Sequence, residues 1–557
     1  EISTTAAADS PALTPPSRCG DPLRIVTPNL KNLPVPPLRD GIGNASLKIT
    51  TRSGEAQAYF DCGLNLLHAF WEFEALRAFQ RALELDPDCA MAHWGIVMCM
   101  PGGQPEFLVE RTNALNRALS LRERLTPLEQ AYIDALQVLV TKGSSAFAEK
   151  MAAQWQNDPS DADAGALAAY YLKDGYTAEG KRTPSQDRAI QIIGAVLKQS
   201  PNHVGALHYA IHLYELGPEL DLAVPLAAKI TRLAPRAPHI VHMPGHVAFF
   251  RGEYESAIQH FRDAYALDQA YHEKERIDRG ENENFAHNTH FLALAYAEAG
   301  RLREALLYAE ELKRTRIATA RLRSEAASVL AYEGRSLAGR LLIRCGEFQR
   351  ASDTLARESA ELSPSAPRYF LDGLTATARG LLAAREGRRA DVSLALADLA
   401  RWQDMLQGTS ARISASEERF YAMRASAVLD VFLRVLRAHA ASSPESARIF
   451  LQSAIEADFD AGGSRLDPPL MPLSIHELAG AFHLAAGDAV AARTAYQAAL
   501  AQRPHSGHVL VGIARAEKLA QNLPAAQIAF QNAIAAFHQA DSTLAAAMEA
   551  RAAVQAP

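Results

Sequence analysis

Apolar and polar residues follow a helical period along most of this chain. From Ser53 onward, apolar side chains recur every three or four residues, the spacing of one face of an α-helix. The clearest amphipathic stretches are RLREALLYAEEL (301–312), GEFQRASDTLARES (346–359) and GRRADVSLALADLARW (387–402). No stretch of useful length alternates with the period of two that is typical of a strand. We therefore expect an almost entirely α-helical fold.

Small and aromatic residues recur at fixed intervals within this pattern. The same spacing is found in three places: Gly63, Ala75, Phe79, Ala82 and Pro87; Gly245, Ala257, Phe261 and Ala264; and Gly480, Ala492, Tyr496, Ala499 and Pro504. This spacing resembles the tetratricopeptide-repeat family, whose unit is a helical hairpin of about 34 residues. The resemblance implies an all-α solenoid, a right-handed superhelix of roughly ten hairpins in which the first helices line a concave groove.

Changes in composition divide the chain into five parts. Residues 1–47 are rich in proline and predict an extended arm, and residues 48–200 predict N-terminal helical repeats. Residues 201–300 form a histidine-rich repeat core, and 301–459 are degenerate repeats. The segment DAGGSRLDPPLMPLS (460–474) marks a break before the C-terminal repeats of 460–557. Their last segment, DSTLAAAMEARAAVQ (541–555), predicts the helix that caps a solenoid.

Composition and charge exclude several classes of function. The chain has 57 basic and 63 acidic residues, a net charge of −6, and no basic runs, so nucleic acid is not an expected partner. No segment reaches the roughly 18 uninterrupted apolar residues of a membrane span. The opening EISTTAAADSPALTPPSR resembles the start of an exported mature protein, so a periplasmic or secreted location is expected, with a trimmed cytoplasmic chain as the alternative.

Seven histidines between residues 202 and 291 share the repeat register. Two pairs, His208 with His242 and His212 with His246, are each 34 residues apart, and His239 and His242 recur 48 residues later as His287 and His290. At about 100° per residue, the histidines of each helix fall within an arc of roughly 60°. The positions they occupy are those that face the groove in the repeat family that this chain resembles. A ladder of imidazoles across three neighbouring helices is expected.

Imidazoles in this arrangement predict a metal site. Packing has no need of a polar ring, whereas histidines three or four residues apart on one helix can direct two nitrogens to one ion. Pro244 removes a backbone donor between His242 and His246, a distortion often found at functional positions. The segments HYAIH and HIVHMPGH resemble a bacterial subgroup of tetratricopeptide-repeat proteins with HYxIH and HxxHMPxH motifs, a resemblance that implies no particular activity.

The kind of metal follows from the kind of ligand. The predicted ligands are all imidazoles: His208, His212, His239, His242, His246, His287 and His290. Their number exceeds what one tetrahedral ion uses and favours two copper ions, with zinc or iron as alternatives. The predicted function is a copper-dependent oxidoreductase that uses dioxygen on a small organic substrate, with Glu215 or Tyr209 managing protons. The alternatives are a scaffold that binds a protein or peptide, a metal storage or delivery protein, and a zinc hydrolase.

The surroundings of this site are also predicted. Ring nitrogens from all three helices should converge in one concave pocket, with the charged segment 271–287 as a solvated loop or lid at its mouth. His68, Glu72 and Glu74 belong to the first repeat, and their distance along the chain favours a place outside the site. His203 lacks the repeat register and is expected to have a structural role.

Overall fold

The computed structural model describes residues 33–100, 108–316, 328–413, 416–461, 468–471 and 473–555. The first helices are α1 (Gly54–His68), α2 (Glu72–Leu85), α3 (Ala90–Met98), α4 (Leu108–Leu121), α5 (Pro127–Lys142), α6 (Ser144–Asn157), α7 (Ala162–Leu172) and α8 (Pro184–Gln199). The histidine-rich region follows with α9 (Val204–Tyr214), α10 (Val224–Leu233), α11 (Pro238–Phe250), α12 (Tyr254–Glu275), α13 (Glu283–Glu298) and α14 (Leu302–Arg314).

A π-helical turn, Leu330–Gly334, leads into the second half of the chain. Its helices are α15 (Arg335–Arg344), α16 (Phe348–Ala360), α17 (Ala366–Arg385), α18 (Arg389–Ser410), α19 (Ser416–Ala440), α20 (Pro444–Ala461), α21 (Ile475–Ala485), α22 (Ala489–Gln502), α23 (Gly507–Leu519), α24 (Leu523–Ala536) and α25 (Ala545–Gln555). The only β-structure in the described ranges is an isolated bridge between Tyr176 and Arg182. None of the described helices combines the length and apolar character needed to cross a membrane.

Consecutive helices pack as antiparallel hairpins, which confirms the predicted all-α solenoid of tetratricopeptide-repeat type. The predicted break lies between α20 and α21, and the predicted cap helix is α25. Of the predicted N-terminal arm, residues 33–47 form neither helix nor strand and bend at 40–42, and the remainder lies outside the described residues. The arm is held on α1 by Asn65, which accepts a hydrogen bond from Ala45 N and donates one to Ala45 O, both 2.8 Å long.

Aromatic rings packed against glycine hold successive hairpins together. The Phe79 ring lies between α1 and α3, and a Cβ atom at Gly63 or Gly95 would come within 2.6 or 2.5 Å of it. Tyr496 lies in the same way between Gly480 and Gly512. Because each ring is in contact with backbone on two sides, it cannot move away from an added methyl group. The spacing seen in the sequence therefore has a steric cause.

The solenoid is tight enough for its first hairpin, α1–α2, to contact its sixth, α11–α12. The Tyr271 hydroxyl of α12 donates to Glu74 Oε1 of α2 (2.6 Å), and the Trp71 and Tyr271 ring centroids are 4.9 Å apart. Arg39 from the arm pairs with both Glu74 (2.8 Å) and Glu275 (2.7 Å). The prediction of a solvated loop or lid over 271–287 was therefore wrong at both ends, since α12 continues to Glu275 and α13 begins at Glu283. Because its charges are paired with those of the arm and of α2, α12 continues as a helix to Glu275.

The packing at Tyr496 leads to a first prediction. Changing Gly480→Ala is expected to destabilise the fold by about 1–3 kcal/mol, because the new methyl group would lie 2.7 Å from a ring that is closed in by Gly512. Gly194→Ala is the control. An added Cβ atom there would meet nothing within 4 Å, and alanine would replace a glycine in the exposed interior of a helix. It is expected to stabilise by roughly 0.5–1 kcal/mol. Urea unfolding measures both, and equal effects would contradict the steric account.

Candidate metal centre

Six of the seven predicted histidines come together between α9, α11 and α13. They form two groups, each with ligand nitrogens within 4.8 Å of one another: His208, His212 and His239, and His242, His246 and His287. The groups adjoin, since the ring centroids of His239 and His242 are 5.5 Å apart and those of His212 and His246 are 5.9 Å apart. The three neighbouring helices therefore present one continuous set of imidazoles.

Hydrogen bonds determine which nitrogens of the first group carry protons. His208 Nδ1 lies 2.6 Å from the backbone oxygen of His68, and His212 Nδ1 lies 2.7 Å from Glu215 Oε1. Both oxygens only accept, so each Nδ1 carries the proton and each neutral ring has a bare Nε2. These two Nε2 atoms face each other at 3.0 Å. Two lone pairs at this distance repel unless a proton or a metal ion lies between them.

The second group is held in a similar way. His246 Nδ1 donates to Glu215 Oε2 (2.9 Å), and its Nε2 lies 3.3 Å from His287 Nε2. The Nδ1 of His242 donates to Asn288 Oδ1 (2.6 Å), whose amide orientation follows from its own donation to the Phe261 carbonyl (3.0 Å). The Nε2 of His242 is then an acceptor, and it is buried with no hydrogen-bond partner. Such an orphan atom in a group of imidazoles is what a metal ion would satisfy.

Glu215, at the end of α9, connects the two groups. One carboxylate oxygen binds His212 and the other binds His246, so a single side chain orients one ring in each group. Burial raises the pKa of Glu215, but His212, His246 and Lys173 outweigh it and hold the pKa well below its ordinary value. The Nζ atom of Lys173 lies 3.6 Å from Glu215 Oε1. Glu215 is therefore an ionised outer partner of the imidazoles.

Burial keeps the imidazoles in the neutral form that metal ions bind. It lowers the pKa of His212 to about 4 and holds the pKa values of His208, His239, His242 and His287 well below the ordinary value. A proton shared between His208 and His212 would place an imidazolium in this environment, which is costly. A metal ion between the two Nε2 atoms would remove their repulsion and leave both imidazoles neutral.

Aromatic rings enclose the centre. The Phe70 ring centroid is 4.4 Å from that of His208 and 5.4 Å from that of His239, and the Phe291 centroid is 4.4 Å from that of His246. Phe70 has a φ of 51°, a left-handed conformation that costs of order 1–3 kcal/mol for a bulky residue. Of the six grouped histidines, only His287 is partly exposed. The centre is thus a largely buried cluster rather than the open concave pocket that was expected.

Two predicted site residues are directed elsewhere. His290 Nδ1 is 3.0 Å from Glu333 Oε2, and its Nε2 accepts from Arg340 (3.2 Å), so both of its nitrogens already have partners. His290 was predicted as a ligand because it follows His242 by 48 residues, the same interval that separates His239 from His287. The sequence interval does not show that Glu333 and Arg340 lie beside its ring. The hydroxyl of Tyr209 lies 3.0 Å from His68 Nδ1, so it serves a different group of side chains.

That other group was missed from the sequence. Asp163 Oδ1 accepts from His68 Nε2 (2.7 Å) and from His203 Nε2 (3.1 Å), and His203 Nδ1 accepts from Ala206 N (3.0 Å). With Tyr209 donating to His68, every ring nitrogen of this group has a partner. The group therefore ties α1, α7 and α9 together and positions the His68 carbonyl that binds His208. Only a contact between distant repeats reveals it, because His68 and Asp163 have no shared register.

The lowered pKa values lead to a second prediction. The pKa is about 4 for His212, His290 and His439 and about 3 for His508, all below the ordinary value of about 6.5 because of burial. Unfolding releases these rings to their ordinary pKa, so stability is complete above about pH 6.5 and falls below it. The metal-free protein should lose about 1.4 kcal/mol per histidine per pH unit between pH 6.5 and 5. Urea titrations at pH 7.5, 6 and 5 measure this loss.

A matched variant checks the cause of this pH dependence. His439 is partly buried and lies outside the candidate centre. Its replacement in His439→Gln should remove one histidine's share of the slope while the other shares remain. A free energy of unfolding that stays constant from pH 7.5 to 5 would show that these rings are not kept neutral by the fold.

Comparison with known proteins gives matches among solved structures only. No family model matches this chain, and no curated protein matches its sequence. The chain is similar to human IFIT1 in its dimer with m7Gppp-AAAA, with 13% identity, 88% of this chain and 91% of that chain covered, and a TM-score of 0.36. It is also similar to yeast Tom70, with 12% identity, 90% and 89% covered, and a TM-score of 0.32. At such similarity, the function of this chain has to be argued from its own residues.

Proposed function

We propose that this chain is a copper-dependent oxidoreductase whose metal centre consists of two ions, each held by three imidazoles. One ion lies among His208, His212 and His239, and the other among His242, His246 and His287. The single observation that carries the proposal is the 3.0 Å approach of the Nε2 atoms of His208 and His212, both of them without a proton. A buried pair of opposed lone pairs calls for a cation between them.

The arrangement favours two ions over one. Six imidazoles exceed the four ligands of a tetrahedral ion, and they divide into two sets of three. Glu215 gives one hydrogen-bond acceptor to each set, so the two sets have equivalent outer support. The buried Nε2 of His242 would otherwise lack a partner in the second set. A second ion satisfies this atom as the first satisfies His208 and His212.

The ligand chemistry favours copper over zinc and iron. All six nitrogens come from neutral imidazoles, and the nearest carboxylate, that of Glu215, is engaged by Nδ1 atoms rather than directed at the metal positions. Hydrolytic zinc sites generally combine imidazole with an open water position, and the non-haem iron triad includes a carboxylate ligand. Imidazole-only coordination suits copper, which would supply one-electron chemistry toward dioxygen.

The remaining side chains suit oxidation of a small substrate. Phe70, Phe261 and Phe291 pack against the imidazoles, so they exclude water and give the centre an apolar surrounding. The partly exposed His287 marks the side from which an organic substrate would approach. Glu215 positions His212 and His246 and balances part of the metal charge. Tyr209, bonded to His68, would act on protons only through that neighbour.

The two-ion arrangement leads to a third prediction. Protein purified without a polyhistidine tag and loaded with copper should hold two equivalents per chain. His208→Ala should lose one equivalent and His242→Ala the other, since each removes one of three ligands from its own set. Elemental analysis combined with protein quantification makes the measurement. His260→Ala is the control, because His260 lies on α12 outside both groups and should leave two equivalents bound.

Several outcomes would count against this arrangement. Equal metal loss in His242→Ala and His260→Ala would contradict the choice of ligands from the repeat register of the histidines. Less than about a tenth of an equivalent in the reconstituted wild-type protein would favour a scaffold without metal, since built imidazole sites bind tightly.

A fourth prediction concerns the reaction. The copper-loaded protein should consume dioxygen in the presence of catechol as a probe reductant, and His242→Ala should lower the rate at least a hundredfold. An oxygen electrode measures the rate, and His260→Ala should match the wild type. Two bound copper equivalents without oxygen consumption, with catechol or other small reductants, would instead identify a storage or delivery protein.

A further inference from the structure

A second polar cluster adjoins the metal centre and is not used by it. Arg424, on α19, has only 11% of its side chain exposed. Its Nε and Nη2 atoms are buried without a hydrogen-bond partner among the residues that the structure describes, and its Nη1 lies 3.8 Å from Glu333 Oε1. A guanidinium offers five donors in a planar fork, so leaving these atoms bare inside a protein is costly. The unfilled donors point to a ligand that accepts hydrogen bonds.

The charges of this cluster do not balance. Arg340 is buried and fully hydrogen-bonded, and its acceptors are uncharged: Ser336 Oγ, His290 Nε2 and the carbonyl oxygens of Glu333, Pro469 and Leu470. Burial and Arg424 lower the pKa of Arg340 to about 10, which still leaves it charged at neutral pH. His290 is neutral, since burial lowers its pKa to about 4. Among the described side chains that are buried here, two guanidinium groups therefore share one carboxylate, that of Glu333, and a single positive charge remains. Glu418, whose charge acts on Tyr332, is exposed to solvent.

The backbone around Glu333 has an unusual form. Residues Leu330–Gly334 form a π-helical turn, a feature found most often at functional sites. This turn carries Glu333 and also Tyr332, whose hydroxyl is buried with no hydrogen-bond partner. The Tyr332 ring stacks on Tyr421 at a centroid distance of 6.3 Å, and the Arg424 guanidinium lies 5.5 Å from the same Tyr421 ring. Unfilled donors and aromatic rings thus occur together.

The cluster is connected to the metal centre through one helix. His290 lies three residues after His287 on α13, about one turn away, and Glu333 contacts both His290 and Arg424. Arg424 is therefore linked through Glu333 and His290 to the helix that carries His287, the partly exposed imidazole at which substrate is proposed to approach. Phe420, 5.3 Å from the Arg424 guanidinium, and Tyr421 offer apolar surface for the rest of such a molecule.

We propose that Arg424, assisted by the Tyr332 hydroxyl, binds the carboxylate of a small monocarboxylate with an apolar or aromatic body, and that this is the substrate class of the metal centre. The carboxylate matches the guanidinium fork and neutralises the single excess charge. A phosphate monoester, with close to two negative charges at pH 7, would exceed it. The substrate assignment rests on the proposed function, whereas the anion site rests on its own residues.

The test is direct binding to the metal-free protein by isothermal titration calorimetry. Benzoate should bind with saturation, and benzamide, which has the same shape without the charge, should bind at least tenfold more weakly. Inorganic phosphate should also bind more weakly than benzoate. In Arg424→Gln, benzoate affinity should fall at least tenfold. Arg437→Gln is the matched control, because Arg437 is exposed near the end of the same helix and its loss should leave benzoate binding unchanged.

A folding check and a second variant complete the test. Circular dichroism checks that Arg424→Gln is folded; if it is not, Arg424→Lys, which keeps the charge but lacks the fork, should show weaker benzoate binding. Failure of wild-type protein to bind benzoate, equal binding of benzamide, or equal benzoate binding to Arg424→Gln would overturn the inference. A protein that binds benzoate but takes up no copper when it is reconstituted with that metal would refute the proposed function and leave the anion site standing. Two copper equivalents without benzoate binding would refute the anion site alone.

Discussion

The contact between an aromatic ring and the bare backbone of a glycine is the constraint on which this structure depends. Phe79 and Tyr496 each lie between glycines of successive hairpins, and Phe261 lies against Gly245 with a would-be Cβ at 2.3 Å. Phe261 also packs on His242, and its carbonyl oxygen orients Asn288, the partner of that histidine. The contact that sets the distance between α11 and α12 therefore also determines the tautomer of His242, one of the candidate ligands.

Burial is the second determinant of the candidate centre. In water, each of the six imidazoles would exchange between its two tautomers and would be protonated near neutral pH. Inside the solenoid, the His68 carbonyl and the carboxylate of Glu215 require Nδ1 to be protonated in three rings, so that each Nε2 is an acceptor. The same burial makes imidazolium costly, so the rings stay neutral and their Nε2 atoms keep the lone pairs that a metal ion would bind.

The closure of the solenoid completes the surroundings of the centre. Contacts of α2 and the N-terminal arm with α12 bring the α1–α2 connection, including Phe70, onto the imidazoles. The ion pairs of Arg39 with Glu74 and Glu275 are largely buried and balance charges that would otherwise oppose this packing. Around Arg424, by contrast, the buried charges of the described residues do not balance. We therefore regard the ion pairs of Arg39 as structural and Arg424 as the proposed ligand site.

The sequence by itself determined the helices, the hairpin spacing and the stripe of histidines on three neighbouring helices. These features depend on local periodicity, because side chains three or four residues apart share a helix face and small residues must meet aromatic rings at regular intervals. Only the tertiary structure decided that His290 turns to Glu333 and Arg340, that His68 and Asp163 support the centre, and that Phe70 encloses it. Those outcomes depend on partners that are distant in the chain, and no helical period specifies which distant residue will lie opposite a given nitrogen.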